Sequence, residues 1–353
     1  MNLDSKNNKV KLGSEIKKIE FYLPGKILKN STLEKEFSEW SANKIEKKTG
    51  IRERHIVNED ETSLDIGFEV AKKVLQGYDK SQIDFILFCT QSPDYYLPSG
   101  SCILQDKLDL RTDIGAFDYN LGCSGFIYGL AMAKSFINSG IANNVLLITA
   151  ETYTKHIHPK DKSNRTIFGD GAAATIIEKS EKEGILEFSL GTDGSGFENL
   201  IVPNGGLRKK YDISAKEIDD GTGSIRTDNN LYMNGPEIFN FTIKAVPIVI
   251  EQCLAKNQTD LNQIDYVIFH QANKYMIEYL RKKIKIPEDK FYNNMLHTGN
   301  TVSVTIPIAL KECLDKNILK DGNKVLLVGF GVGYSWGATI IEVLKRYIVM
   351  ENK

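Results

Sequence analysis

The chain repeats part of its sequence at about half its length. Residues 82–88 read QIDFILF, and residues 263–269 read QIDYVIF, 181 positions later in a chain of 353 residues. Residues 145–148 (VLLI) are echoed by residues 325–328 (VLLV) at an offset of 180. Two matches at nearly one offset indicate a duplicated structural unit. The chain is therefore expected to contain two similar halves that share a core.

The pattern of apolar runs predicts a layered α/β fold. Short, almost wholly apolar runs suit strands that are covered on both faces. Helical spacing follows at 126–138 and 306–315, so strands alternate with helices in both halves. We place the boundary between residues 180 and 181. The predicted strands are 84–89, 115–119, 145–150, 172–177, 265–270 and 325–330.

Two segments carry local signals of their own. Ser31–Glu34 has the form of a capping box, which predicts the start of a helix that carries Phe37 and Trp40. Residues 190–235 are rich in glycine, Asp and Asn, which indicates a long loop region in the second half. A loop of this length in a compact protein usually covers or binds a ligand.

Composition excludes several classes of protein. Hydrophobic residues make up 41% and charged residues 26%, and the formal net charge of -1 favours neither nucleic acid nor an anionic membrane as a partner. No apolar run reaches the roughly 18–20 residues that span a bilayer. The polar N-terminus lacks a signal core, so we predict a cytoplasmic protein. Five scattered cysteines match neither a disulfide framework nor a metal site, and we predict no metal and no cofactor.

Cys123 is the first candidate for chemistry. It lies in Leu121-Gly-Cys-Ser-Gly125, between the predicted strand 115–119 and the helix that begins near Phe126. A thiol at a helix N-terminus faces the positive end of the dipole, which lowers its pKa. The alternative is a buried structural cysteine, which is our interpretation of Cys102, Cys253 and Cys313.

His270 and Asn300 are the second and third candidates. His270 ends the repeated strand and is followed by Gln271-Ala272-Asn273, so it can donate a hydrogen bond or move a proton in the crevice where ligands bind. Asn300 precedes a helix at the position that corresponds to Cys123 in the other half, allowing for a three-residue insertion. Its amide nitrogen can donate to an oxyanion. A packed histidine and a simple helix N-cap are the alternatives.

The glycine-rich stretch 329–337 comes after the strand residues 325–328. Its exposed N–H groups can form half of an oxyanion hole, with the Cys123 amide as the other half. No Gly-Lys-Ser/Thr follows, which argues against a phosphate-binding loop.

Together these segments resemble the thiolase superfamily, and within it the β-ketoacyl-acyl carrier protein synthase III group. The resemblance covers about Ile19 to Val343. It implies a five-layered αβαβα fold built from two duplicated halves, a homodimer and a Cys-His-Asn triad. It rests on the motifs TGIRER (49–54), GCSGF (122–126), FGDGA (168–172), HQAN (270–273), GNT (299–301) and GFG…SWG (329–337).

The resemblance also implies a reaction. Cys123 takes an acyl group from a thioester, and His270 and Asn300 stabilise the enolate that forms when a malonyl thioester loses CO2. The carbanion then attacks the acyl group to give a 3-oxoacyl thioester, in fatty-acid initiation or a specialised acyl pathway. Backbone N–H groups of Cys123 and Val332 form the oxyanion hole, and Asn273 and Phe330 contact substrate.

The chain departs from the family at the coenzyme-binding positions. A Trp and an Arg that usually precede the TGI motif correspond to Lys44 and Lys48, and a further Arg corresponds to Lys162. Lysines bind phosphate as point charges but offer no surface for adenine to stack on. The expected donor is therefore either an acyl-CoA or an acyl-acyl carrier protein.

Three readings of the function follow, and condensation is favoured. The glycine stretch holds no second cysteine, the strand 84–89 leads into no glutamate, and Asn300 is retained. The first alternative is an acyltransferase or thioesterase of the same fold that forms no carbon–carbon bond. The second is a non-catalytic subunit of a heterodimer.

An acidic malonyl-acyl carrier protein is the expected partner of a condensing enzyme. The basic run that follows His270 is a candidate docking patch, with Lys274, Arg281 and Lys282 as its principal members. An ordinary solvated helix face is the alternative.

Overall fold

The computed structural model describes residues 13–344. The polar N-terminal segment on which the cytoplasmic prediction rests lies outside them. The helices are α1 Asn30–Glu36, α2 Ala42–Thr49, α3 Ser63–Leu75, α4 Gly100–Lys107, α5 Gly125–Ser139, α6 Lys162–Arg165, α7 Gly235–Lys256, α8 Lys274–Ile284, α9 Met295–Thr298 and α10 Thr305–Asp315. The strands are β1 Gly13–Tyr22, β2 Lys26–Lys29, β3 Glu53–Ile56, β4 Phe85–Cys89, β5 Gly115–Tyr119, β6 Asn144–Glu151, β7 Gly171–Ser180, β8 Ile185–Thr192, β9 Leu200–Ile201, β10 Ile218–Asp219, β11 Ile225–Arg226, β12 Tyr232–Met233, β13 Tyr266–Phe269, β14 Phe291–Tyr292, β15 Lys324–Gly331 and β16 Ser335–Glu342.

Two five-stranded sheets share one topology. The first has the order β1-β7-β6-β4-β5, and the second has the equivalent order β8-β16-β15-β13-β14. In each sheet the first two pairings are antiparallel and the last two are parallel. The first sheet uses strands from residues 13–180 and the second uses strands from residues 185–342. The domain boundary at 180/181 falls between them and stays a prediction.

The repeated sequences occupy matching places in the two sheets. Phe85 of β4 pairs with Val145 of β6, and Tyr266 of β13 pairs with Val325 of β15. Both pairings are parallel. The duplication read from the sequence is therefore a duplication of structure.

Two helices form the central layer between the sheets. Leu130 of α5 and Leu310 of α10 pack in one cluster with Leu147 of the first sheet and Leu327 of the second. Both helices carry buried residues on more than one face, which allows each to contact a sheet on two sides.

The outer faces of the sheets are covered by the remaining long helices. Ile148 of β6 packs against Val70 of α3, and Val328 of β15 packs with Val249 of α7 and Leu280 of α8. Neighbouring residues of a strand point to opposite faces, so residues 147 and 327 face inward while 148 and 328 face outward. The result is the five-layered αβαβα fold that the family resemblance implies.

The capping box predicted at Ser31–Glu34 is wrong. The helix begins at Asn30 with Lys29 as its N-cap, two residues before the predicted Ser31 cap, and this N-cap makes no side-chain hydrogen bond. Asn30 is buried, donates to the carbonyl of Ile51 at 2.7 Å and accepts from the Arg54 guanidinium at 2.8 Å. These contacts with a distant segment determine where the helix starts, and a local pattern does not contain them.

The predicted loop region 190–235 contains four strands of two residues each. Strands β9 and β12 pair with each other, as do β10 and β11. Two-residue strands are too short to show an alternating pattern in sequence. Leu207 and Ile213 project from this segment and are 90% and 95% exposed.

Helix α7 is the one described helix that is long and apolar enough to cross a membrane by length and composition. It contains Pro247, and its residues Val246, Val249 and Cys253 are buried in the core beside the second sheet. Core helices of soluble proteins pass the same test, so the helix is weak evidence for a membrane protein.

Candidate active site

One small cavity brings together the three residues predicted to carry chemistry. Cys123, His270 and Asn300 all line a cavity of about 150 Å³. Cys123 comes from the first half, and the other two come from the second. The rest of the wall is mainly apolar and includes Tyr153, Phe168, Leu200, Met233 and Phe330.

Cys123 lies in the short connection between β5 and α5 and is buried. A Cβ atom at position 331 would lie 2.9 Å from the Cys123 Sγ, so only glycine fits opposite this thiol. Burial raises the pKa of the Cys123 thiol, and the nearby Glu151 carboxylate raises it further. The lowering expected from the helix N-terminus is therefore outweighed. The resting group is a thiol that needs a proton acceptor.

His270 directly follows β13 and is 2% exposed. Burial lowers the pKa of its imidazole to about 3, against the opposing effect of the Val302 carbonyl, so the ring is neutral near pH 7. Its Nδ1 lies 2.8 Å from Thr305 Oγ1, and the Thr305 hydroxyl also lies 3.1 Å from the Val302 carbonyl. A hydroxyl can donate or accept, so Thr305 supports either ring tautomer.

Asn300 lies just after α9, and hydrogen bonds orient it. Its Oδ1 accepts from the N–H of Val302 at 2.9 Å, and its Nδ2 donates to the Ala272 carbonyl at 3.3 Å. One N–H of the amide therefore remains available as a donor. Its backbone bonds on both sides to the FGDG segment, through the Ile167 carbonyl and the Gly169 N–H, each at 3.0 Å. Asn300 can therefore accept the local hydrogen bond from the Val302 N–H and still donate a hydrogen bond in the cavity.

Phe330 lies near the end of β15 and Val332 directly follows this strand, and both lie close to the segment around Cys123. The Phe330 ring meets the His270 ring edge to face, with centroids 5.5 Å apart. A Cβ at position 122 would lie 2.7 Å from Val332 Cγ1, so the valine packs directly beside the residue that precedes Cys123. This places the proposed second oxyanion-hole residue next to the first.

Arg54 supports the site in a way that sequence reasoning missed. Its guanidinium is fully buried and donates to the carbonyls of Thr166 at 2.7 Å and Leu28 at 3.1 Å. Burial lowers its pKa to about 10. Because Thr166 leads into the FGDG segment that holds Asn300, Arg54 ties the TGIRER motif to the site. The motif was visible in sequence, but this contact was not.

Glu151 is a second residue that sequence reasoning missed. It is fully buried at the end of β6, where it accepts hydrogen bonds from the Gln91 N–H at 3.1 Å and the Ser303 hydroxyl at 2.9 Å. Burial raises the pKa of its carboxyl to about 8. The sequence signal for Glu151 is an acidic residue at the end of an otherwise mainly apolar strand.

A larger cavity of about 790 Å³ adjoins the first. Ile167 and Asn273 line both cavities, so the larger one leads toward Cys123. Asn273 also caps α8, because its Oδ1 accepts from the Met276 N–H at 3.0 Å. The outer wall of the larger cavity includes Trp40, Lys48, Tyr275, Tyr279 and Lys282.

Trp40 corrects the expectation that this entrance lacks an aromatic surface. The residue lies between α1, which ends at Glu36, and α2, so the predicted helix carries neither Phe37 nor Trp40. The Nζ atoms of Lys44 and Lys48 lie 5.4 Å and 4.7 Å from the centroid of its ring.

Lys162 does not line the larger cavity. It is 4% exposed, and its ammonium pairs with the Glu39 carboxylate at 2.6 Å. The pair holds the segment beside Trp40. Lys162 therefore contacts the protein at the position where a coenzyme contact was expected.

The predicted docking patch divides into two parts. Lys274 and Lys282 line the larger cavity. The side chain of Arg281 is 11% exposed and is engaged by Glu278 at 2.9 Å and Glu288 at 3.7 Å. Because its charge is compensated locally, Arg281 is a poor docking residue, and the exposed Tyr275 is the better neighbour for Lys282.

Nothing in the described part of the chain forms a metal centre. Among residues 13–344, no group of three or more His, Cys, Asp or Glu side chains is placed to hold a metal ion.

Comparison with known proteins matches this chain to one family. The family profile described as 3-oxoacyl-[acyl-carrier-protein (ACP)] synthase III matches residues 117–194, and its C-terminal counterpart matches residues 254–343. The beta-ketoacyl-[acyl-carrier-protein] synthase III of Clostridium tetani (strain Massachusetts / E88) is 38% identical over 339 residues, covering 96% of this chain and 99% of the relative.

Solved structures agree with this match. A 2.1 Å crystal structure of a 3-oxoacyl-(acyl-carrier-protein) synthase III has a TM-score of 0.92 at 46% identity, covering 94% of this chain and 100% of that one. The 3-oxoacyl-[acyl-carrier-protein] synthase III of Aquifex aeolicus VF5 has a TM-score of 0.81 at 34% identity, covering 94% and 100% of the two chains.

Proposed function

This chain belongs to the 3-oxoacyl-[acyl-carrier-protein] synthase III family of condensing enzymes, and from that membership we propose how its residues act. Cys123 accepts an acyl group from a thioester, and the acyl-enzyme condenses with malonyl-acyl carrier protein. The products are CO2 and a 3-oxoacyl thioester. The observation that carries the proposal is the meeting of Cys123, His270 and Asn300 in one cavity.

The first step is acyl transfer. The Cys123 sulfur attacks the thioester carbonyl while its proton moves to Nε2 of His270. Attack and proton transfer are concerted, because burial disfavours both the thiolate and the imidazolium. The N–H groups of Cys123 and Val332 hold the oxyanion. The intermediate then expels the donor thiolate, which takes the proton from His270.

The second step is decarboxylation and carbon–carbon bond formation. The bond between the malonyl carboxylate and its α-carbon breaks, and its electrons form an enolate as CO2 leaves. Asn300 Nδ2 and the Nε2–H tautomer of His270 donate to the enolate oxygen. The α-carbon then attacks the acyl carbonyl, and Cys123 departs as a thiolate that takes up a proton from solvent, so condensation consumes one proton overall.

The size of the cavity favours a short acyl group. A cavity of about 150 Å³ with an apolar lining holds a ligand the size of benzene, or roughly six carbon atoms. Tyr153 and Leu200 form part of both this cavity and a cleft of about 1070 Å³, so these two side chains separate the acyl site from that cleft.

The larger cavity fits a coenzyme A thioester as the acyl donor. Trp40 offers a ring for the adenine, and Lys48 and Lys282 offer charges for the phosphates. The pantetheine arm of the malonyl carrier would use the same route. We propose Lys274, Tyr275 and Lys282 as the carrier-docking surface. A Lys282→Glu change should raise the KM for malonyl carrier protein, and an unchanged KM would remove Lys282 from that surface.

We also propose that the chain is a soluble homodimer. Tyr95, Tyr96 and Leu97 form a run in one loop and are 60%, 77% and 82% exposed, which is unusual for large apolar side chains on a monomer. Light scattering at micromolar concentration should give twice the 39.7 kDa chain mass, and a monomer mass would contradict the proposal.

Intact-protein mass spectrometry tests the proposed reaction. The enzyme is mixed with a panel of acyl-CoAs and acyl-carrier proteins, and malonyl carrier protein is then added. We expect a mass gain that Cys123→Ala abolishes and that malonyl carrier discharges as a 3-oxoacyl product. Acylation that malonyl carrier does not discharge would favour the acyltransferase reading. No acylation by any donor would contradict the proposal.

A further inference from the structure

A buried hydrogen bond joins the two halves of the chain beside the nucleophile. The hydroxyl oxygens of Ser124 and Ser335 lie 2.6 Å apart, although the residues are 211 positions apart in sequence. Ser124 directly follows Cys123, and Ser335 begins β16 directly after the turn that carries Val332. Both serines are buried, at 0% and 3% exposed.

The bond continues to the backbone of Val332. Ser335 Oγ donates to the Val332 carbonyl at 3.0 Å. Because a hydroxyl has a single proton, Ser335 must accept from Ser124. A directed chain of hydrogen bonds therefore runs from Ser124 through Ser335 to Val332.

Ser124 forgoes its usual local partner to make this bond. It occupies the N-cap position of α5, where a serine hydroxyl normally accepts from an N–H of the first turn. Here the side chain makes no capping bond. A cap of this kind stabilises a helix, so the position is not optimised for the helix.

The hydrogen-bond chain lies where two backbone segments are in direct contact. The space between Gly331 and Cys123 Sγ admits no side-chain atom, and Val332 packs against Gly122. Small shifts of the Val332 turn would therefore move its N–H relative to the N–H of Cys123. We propose that Ser124 and Ser335 are positioning residues that hold these two N–H groups in register for one oxyanion. This inference rests on the function proposed above.

The inference predicts that loss of either hydroxyl slows acyl transfer but leaves the reactivity of the Cys123 thiol unchanged. Neither hydroxyl lines the cavity that holds Cys123. Loss of one oxyanion-hole donor slows acyl transfer by about 10²–10³-fold, so loss of its alignment should cost at least about tenfold. Alkylation of Cys123 by iodoacetamide displaces iodide in one step with no tetrahedral oxyanion. It therefore reports on the thiol alone.

The experiment compares these two reactions in four single variants and in the double variant that carries both Ser124→Ala and Ser335→Ala. Ser124→Ala and Ser335→Ala each break the chain, and Ser335→Thr keeps a hydroxyl. Ser189→Ala is the matched control, because Ser189 is also buried, and it bonds to Gln252 at 3.0 Å and lines neither cavity described above. Single-turnover acylation by acetyl-CoA, or by the panel donor that labels the wild type fastest, is measured beside iodoacetamide alkylation.

Both alanine variants should acylate at least about tenfold more slowly than the wild type while alkylating within about twofold of it. Ser335→Thr should acylate like the wild type, and the double alanine variant should be no slower than either single variant, because both changes break one chain. If one alanine variant does not fold, the other still tests the inference.

Two results would overturn the inference. In the first, the alanine variants acylate as fast as Ser189→Ala. In the second, acylation and alkylation slow in equal proportion, which would mean that the hydroxyls act on the thiol or on packing. A wild-type enzyme that no donor acylates would contradict the proposed function itself, and the inference would fall with it.

Discussion

The chemistry of this site depends on neutral groups that burial holds in place. His270 is kept uncharged, and the Asn300 amide nitrogen donates one N–H to the Ala272 carbonyl and keeps a second N–H as a donor. Motif spacing was enough to identify both residues and Cys123. It was not enough to identify Arg54, Glu151 or Thr305, because their partners are tens to hundreds of positions away in sequence.

Thr305 should hold Nδ1 of His270 in each of the two tautomers that the proposed steps use. Thr305→Val removes the hydroxyl but keeps the side-chain shape, which leaves Nδ1 without its partner. We expect kcat for condensation to fall at least about tenfold, since proton transfer by a positioned side chain contributes about 10²–10⁴-fold. Thr305→Ser should retain most of the activity.

Nitrogen NMR of the imidazole rings checks the cause of this loss. The chain has five histidines, so the His270 signals can be assigned by substitution. Thr305→Val should change the ratio of the two tautomers at His270, and Thr305→Ser should not. An unchanged ratio together with unchanged kcat would remove Thr305 from the mechanism.

Glu151 should make the stability of the protein depend on pH. Burial raises the pKa of its carboxyl to about 8 from an ordinary value of 4.5, so between these values the folded state holds a proton that the unfolded state has lost. The free energy of unfolding should therefore fall as pH rises through this range, by up to about 1.4 kcal/mol per pH unit from this group.

Urea unfolding of the wild type and Glu151→Gln from pH 5 to pH 9 measures the effect. Glutamine has no proton to lose in this pH range, and the variant keeps all the other titrating groups of the wild type. The wild type should lose stability relative to the variant as pH rises to about 8, and the difference should level off above it. A difference that is constant or grows in favour of the wild type would show that Glu151 is ionised in the folded protein.

At the scale of the elements, the prediction succeeded where a local pattern decides the structure. Strand β5 occupies the predicted residues 115–119, and α5 begins one residue before the predicted Phe126. The start of α1 and the place of Trp40 were wrong, because contacts with distant segments decide them. Strands β9 to β12 could not be predicted, since each has only two residues.

Trp40 allows a test of whether the acyl donor is a coenzyme A thioester. Trp40→Ala removes the ring, and loss of stacking on one base costs about 1–3 kcal/mol, so the Kd for free coenzyme A should rise at least about fivefold. Trp40→Phe should restore most of the affinity. Calorimetric titration with coenzyme A measures both.

A truncated thioester supplies the control for this prediction. Acetyl-N-acetylcysteamine has no nucleotide, so Trp40→Ala should leave its rate of Cys123 acylation unchanged. An equal loss with the truncated thioester would mean that Trp40 supports the fold of the entrance and does not stack on the nucleotide.

The whole molecule explains why one chain carries two matching halves. The parallel strands of both sheets end near the same cavity. In the proposed reaction the first half supplies the nucleophile, and the second supplies the donors for the enolate. The repeated motif was sufficient to predict two similar halves that share a core. The acyl cavity was not predictable, because its wall is assembled from side chains of both halves and of the 190–235 segment.

The division of labour between the halves is the central claim, and Asn300→Ala tests it most directly. Acetyl-CoA is added to load Cys123, malonyl carrier protein follows, and acyl-enzyme mass and released CO2 are recorded on the same sample. We predict that Asn300→Ala acylates like the wild type but releases little CO2 and keeps its acyl group. Normal CO2 release, or failure to acylate at all, would contradict the separation of nucleophile and enolate site.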